Sequence, residues 1–149
     1  MTNFEFEQMT DNAKSFTAQL LKFAAFAELD AEKVIRKTII DLFSHIAEAT
    51  PVDTGRARAN WNLDFNGDAN DLIEEVQGKS NANKIISGKV AEFRYQITQG
   101  YVYIYNNLEY IEALENGWSD QAPEGMVAVT LAVFEQFLEQ NIKGASVIE

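Results

Sequence analysis

The sequence contains no cysteine, one histidine and two prolines in 149 residues. Without thiols there is no disulfide framework, no thiolate zinc site and no thiol nucleophile. Basic residues are also scarce: 12 Lys and Arg stand against 23 Asp and Glu, a net charge of −11. The imbalance is uneven, −3 over residues 1–50, −1 over 51–107 and −7 over 108–149. Phosphate binding needs clustered cations, so a general nucleic-acid surface is excluded, and no polybasic patch favours a membrane. No apolar run approaches the roughly 18 residues of a spanning helix, and MTNFEFEQ has no basic segment leading into an apolar one. The chain is therefore expected to stay soluble. What is present, 46% hydrophobic and 23% charged residues, suits a single globular domain over 1–149.

Hydrophobic spacing supplies the elements. Phe16, Leu20, Phe23 and Ala27 recur at helical intervals and predict a helix over 11–27. Before it, Phe4, Phe6 and Met9 alternate with acidic residues in an N-terminal arm over 1–10, a candidate for docking on a neighbour. Ile35, Ile39, Leu42 and Ile46 predict a second helix over 31–49, stopped by Pro51. From Ala57 to Phe65 the period falls to two, which reads as a half-buried strand over 59–65, and Asn66-Gly67 signals a turn. Ile86, Val90, Phe93 and Ile97 predict a helix over 83–98. Tyr101 to Tyr105 reads as a central strand with both faces covered. A short helix over 108–115 and a long one over 124–142 follow, with a mobile tail over 144–149. The expected fold is α+β: a small mixed or antiparallel sheet of 59–65 and 101–105, strand order open, packed on the helices at 31–49 and 124–142.

Chemistry is thinly represented. His45 follows Ser44 inside a predicted helix, where neighbours point about 100° apart and form no nucleophile and base pair. Glu109, Glu112 and Glu115 form an i, i+3 row, the acidic pairing a carboxylate hydrolase requires and equally the pattern of a solvated helix face. Asp64, Asn66, Asp68, Asn70 and Glu75 fall at positions 1, 3, 5, 7 and 12 of a calcium loop. Position 6 holds Ala69 where the sharp turn demands glycine, position 8 holds Asp71, and the preceding residues alternate like a strand. A polar turn accounts for the same residues, and no metal or cofactor is assigned. Arg56 and Arg58, spaced two apart on entering the predicted strand, share one face and are candidates for meeting a carboxylate across a subunit boundary.

Two blocks of the sequence carry a resemblance. The first is Thr50-Pro51-Val52-Asp53-Thr54-Gly55-Arg56-Ala57-Arg58-Ala59-Asn60-Trp61. The second runs from Tyr103 to Ser119 and includes Asn106, Asn107, Tyr110, Glu115 and Gly117; Gln121-Ala122-Pro123-Glu124-Gly125-Met126-Val127 continues it. In order and spacing they resemble the T-P-V-D-T-G-x-x-R-x-x-W and I-x-N-N-x-x-Y-x-x-x-L-E-x-G-x-S blocks of the tail-completion and neck proteins of tailed bacteriophages, the HK97 gp10-like group. The resemblance spans residues 30–142. The position before Tyr110, often proline in that family, holds Glu109.

The resemblance implies a non-catalytic virion structural protein of the neck or tail end, present in the host cytoplasm during assembly. It implies a closed ring, expected to hold six copies, through whose lumen DNA passes without specific binding. Partners would be copies of the chain itself and other neck and tail proteins. In such a ring Arg56 and Arg58 are expected to meet a neighbour's acidic C-terminal region, and Phe4, Phe6 and Met9 to form an apolar link.

Overall fold

A computed structural model describes residues 28–146. The arm with Phe4, Phe6 and Met9 and the helix expected over 11–27 lie outside the described residues. The stripe at Ile35, Ile39, Phe43 and Ile46 builds helix α1, Glu28–Ala49, whose 22 residues span about 33 Å. Its end is sealed by Thr50, whose hydroxyl donates to the Ile46 carbonyl at 2.7 Å and whose N–H donates to that of Ala47 at 3.1 Å.

After Pro51 the chain turns at Gly55, with φ 98°, into a single helical turn, α2 (Arg56–Ala59). Glycine is required here twice over: a Cβ would stand 2.8 Å from Ala82 Cβ and 2.9 Å from the Gly78 carbonyl. The strand expected from residue 59 therefore begins only at Trp61, as β1 (Trp61–Asp64). Alternating Ala and Arg imitate a period of two, but both are strong helix formers, and Ala57, Arg58 and Ala59 are all buried in the helical turn.

β1 pairs antiparallel with β2 (Tyr103–Asn106), Trp61 opposite Asn106 and Asp64 opposite Tyr103. The expectation of a central strand with two covered faces is corrected: the sheet has two strands among the described residues, and Tyr103 is 44% exposed. Between them lies α3 (Gly78–Glu92), five residues earlier at its start than the spacing suggests. Phe93 is extended at φ −69° and ψ 128°, which ends the helix, buries the Phe93 ring and leaves Ile97 exposed.

The short helix expected over 108–115 is α4 (Ile111–Glu115). The long helix expected over 124–142 is two: α5 (Val127–Leu131) and α6 (Phe134–Ser146), with Pro123 and Glu124 in the preceding turn. Each docks on α1 through a polar tie. His45 Nδ1 shares a hydrogen bond with Thr130 Oγ1 at 2.8 Å, and Asn141 donates to Thr38 Oγ1 at 3.0 Å and Asp41 Oδ2 at 2.9 Å. Gly144 to Ser146, expected in a mobile tail, continue α6. The main core joins Phe43, Ile46, Trp61, Ile86, Ala122 and Met126, so α1, β1, α3 and the segment before α5 meet at one centre. The fold is α+β, a small antiparallel sheet against long helices.

Candidate functional site

The two sequence blocks, separated by about forty residues of chain, are joined in space. Asn106, opposite Trp61 in the sheet, donates from Nδ2 to the Ala57 carbonyl at 2.9 Å and accepts the Leu108 N–H at 3.1 Å. Gln121 reads both backbone groups of Val52, accepting its N–H at 3.0 Å and donating to its carbonyl at 3.2 Å. Asn107 donates to the Ala69 carbonyl. These amide side chains substitute for backbone pairing where no strand runs, and they hold Val52, Ala57 and Ala69 against the segment at 106–121.

Within the first block, the Thr54 hydroxyl accepts the Arg56 N–H at 3.2 Å and its carbonyl the Gly78 N–H at 2.7 Å, whereas Asp53 is exposed. Arg58 is 6% exposed. Its guanidinium donates to Asn83 Oδ1 at 2.9 Å and to the carbonyls of Glu48 at 2.9 Å and Thr50 at 3.2 Å, while its buried Nε has no partner. Burial lowers its pKa, opposed by the nearby Glu48 charge. Arg56 pairs with Glu74 at 2.8 Å within the same chain. The expectation that both arginines face a neighbouring subunit is therefore corrected for Arg58: helical rather than extended backbone turns it inward to tie α1 to α3. Arg56 is half-buried and already engaged.

In the second block, Glu115 leaves the expected acidic row. Its carboxylate accepts N–H groups of Met126 at 2.9 Å, Val127 at 2.7 Å and Ala128 at 3.3 Å, the donors that the first turn of α5 leaves unpaired. Glu109 and Glu112 are exposed. Gly117, at φ 89°, lets the chain reverse where a Cβ would meet the Pro123 carbonyl at 2.5 Å. Beyond it Trp118 is 82% exposed, and Tyr110, preceding α4, is 41% exposed.

The residues of the calcium pattern are not assembled. Asp64 Oδ1 accepts the N–H groups of Asn66 at 3.0 Å and Gly67 at 2.6 Å, and Oδ2 accepts the Tyr105 hydroxyl at 2.5 Å. Burial alone would raise the Asp64 pKa, but these donors outweigh it and hold the carboxyl below its ordinary value. Among the described residues no group of three or more His, Asp or Glu is placed to hold a metal ion. Asn66, Asp68, Asn70 and Glu75 belong to a polar connection over 65–77 instead.

Asn60 and Lys89 carry structural work that the spacing does not single out. Asn60 donates to the carbonyls of Arg56 at 2.8 Å and Ile73 at 3.0 Å, and accepts the Ile73 N–H at 2.8 Å, pinning the long connection to α2. Lys89 Nζ donates to the carbonyls of Ala59 at 2.7 Å and Trp61 at 2.6 Å, and burial lowers its pKa. The visible signal for Asn60 was a polar residue between Ala59 and Trp61, both apolar.

His45, besides its bond to Thr130, sets its ring edge-on to Phe137 at 5.7 Å, which makes it a tie between helices. The arrangement as a whole is a cross-braced platform, with hydrogen-bonded turns inside and aromatic side chains outside. Compared with known proteins, the chain matches no family model, no curated protein and no solved structure.

Proposed function

We propose that this chain is a virion structural protein of a tailed bacteriophage, completing the tail or joining it to the head as one subunit of a ring around the DNA channel. The observation that carries the reading is the union of the two blocks. Residues of the two blocks and their continuation that are distant in sequence, Val52 and Gln121, Ala57 and Asn106, are hydrogen-bonded partners. Coincidental likeness in two separate stretches carries no expectation that they meet.

Two further features suit the role. Trp118 and Tyr110 stand exposed on the second block, and large aromatics held out by a braced turn are the side chains that anchor protein interfaces. The −7 carried by residues 108–149 suits a lumen that repels DNA phosphates and lets the duplex slide. The ring itself, with DNA inside and other neck and tail proteins at its ends, belongs to the same proposal.

Disruption of the gene in its phage, followed by electron microscopy of the lysate, tests it. Filled heads and separate tails, restored to joined particles by the gene supplied in trans, are expected. Normal yields of joined, infectious particles from the disrupted phage would overturn the assignment.

A further inference from the structure

Lys33, Arg36, Lys37 and Arg94 pair with no carboxylate among the described residues, and all four are exposed. They rim one open groove of about 570 Å³ between α1, the end of α3 and the last turns of α6. On α1, positions 33, 36, 37 and 40 follow the i, i+3, i+4, i+7 spacing of a single face. The floor is apolar: Ile40, Val90 and the buried Phe93. Arg94 is held at the edge by donating to the carbonyls of Ala91 at 2.6 Å and Phe93 at 3.0 Å.

In a chain of net charge −11, four cations with no carboxylate partner among the described residues, set around an apolar floor, call for an occupant that is acidic and aromatic at once. The chain contains one, Phe4-Glu5-Phe6-Glu7. In extended form its alternate side chains face opposite ways, which would turn two phenyl rings to the floor and leave two carboxylates on the solvent side, where the long cationic side chains of the rim can reach up to them.

We infer that the groove receives the Phe4–Glu7 segment of a second copy of this chain. The segment is joined to α1 through residues 8–27, and the apolar spacing of 11–27 predicts a helix about 25 Å long. The groove begins at Lys33, only about 8 Å along α1 from Glu28. Because the helix expected over 11–27 is longer than the stretch of α1 before the groove, the occupant proposed is the arm of a second copy, and the chain's own arm is the alternative that the test distinguishes. Each copy then gives an arm and receives one, which is a head-to-tail contact of the kind that closes rings. The inference names the subunit contact of the proposed ring, but its test reads the contact directly. Joined particles after gene disruption would overturn the virion reading and leave this contact standing.

The absence of native cysteine makes disulfide trapping in the full chain clean. Gln8→Cys places a thiol beside the segment, and Gly144→Cys places one in the groove, where an added Cβ meets no atom within 4 Å and all four cations are kept. Glu139→Cys, exposed on the same helix, is the reference. Differently tagged Gln8→Cys and Gly144→Cys chains, mixed at low salt, are expected to form about tenfold more mixed disulfide than the Gln8→Cys and Glu139→Cys pair. The excess is expected to fall in 1 M salt, where the screening length is about 3 Å. It should fall again when Arg36→Glu, or Lys33→Glu as an independent variant, is added to the groove partner, each checked for parental circular dichroism. Equal trapping at 144 and 139 would overturn the inference. So would a chain carrying both Gln8→Cys and Gly144→Cys that closes on itself and does not join two chains, an outcome that assigns the groove to its own arm.

Discussion

The indole Nε1 of Trp61 donates to the hydroxyl of Thr50 at 2.7 Å, closing the first and last residues of one sequence block on each other. The same hydroxyl donates to the Ile46 carbonyl, so the end of α1, the turn after it and the first residue of β1 share a single buried oxygen. A chain that enters this sheet through such a turn has little freedom in where β1 begins.

Thr50→Val keeps the shape of the side chain but leaves the buried indole N–H without an acceptor. A loss of about 1–3 kcal/mol is expected, read as a lower urea midpoint with unchanged slope. Trp61→Phe in the Thr50→Val background should cost less than the two single changes added together, because the donor and its acceptor then leave as a pair.

The two arginines separate by burial. Arg58→Ala removes the donors serving Asn83, Glu48 and Thr50 and is expected to destabilise the fold by about 3 kcal/mol. Arg56→Ala loses a partly exposed ion pair with Glu74 and should cost less than about 1 kcal/mol. Chemical denaturation of both variants checks this, and equal losses would mean that the Arg58 bonds contribute nothing beyond those of a surface pair.

Glu115→Gln retains an oxygen acceptor but removes the charge facing the first turn of α5, and Glu115→Ala removes both. Losses of about 1 and about 2 kcal/mol are expected in that order. Hydrogen exchange should locate the loosening at the N–H groups of Met126, Val127 and Ala128, ahead of any change in α1.

Lys89 makes stability depend on alkaline pH. Burial lowers its pKa below the ordinary 10.5, so the unfolded chain binds more protons than the folded one in the window beneath that value. Stability from this group therefore rises with pH through the window. Tyr95 and Tyr105, raised by burial above 10.0, add the opposite slope from about pH 10 upward, so the Lys89 effect is read below that. Urea midpoints measured as pH approaches about 10 from below should climb in the parent and flatten in Lys89→Met. A parallel climb in both would remove Lys89 as the cause.

Periodicity was sufficient for α1. Its stripe from Ile35 to Ile46 and its stop at Pro51 are local facts, since apolar spacing and a proline ring act within a few residues. The α+β class was legible for the same reason, and so was the pair of strands, because alternation from Trp61 and from Tyr103 is local as well. The direction of their pairing was not, since it depends on the course of the long connection through α3. Arg56–Ala59 was misread because four residues of alternating Ala and Arg satisfy a helix and a strand equally, and only the burial of Ala57 and Ala59, the latter against Ala82 of α3, selects the helix. The break between α5 and α6 is decided by two separate dockings on α1, at His45 with Thr130 and at Thr38 with Asn141. Glu115 shows the limit most plainly. Its spacing places it in a row with Glu109 and Glu112, but its partners lie eleven to thirteen residues on, brought back by the turn at Gly117. A hydrogen bond between backbone and a distant carboxylate leaves no mark on periodicity, because it is made only once the chain has folded.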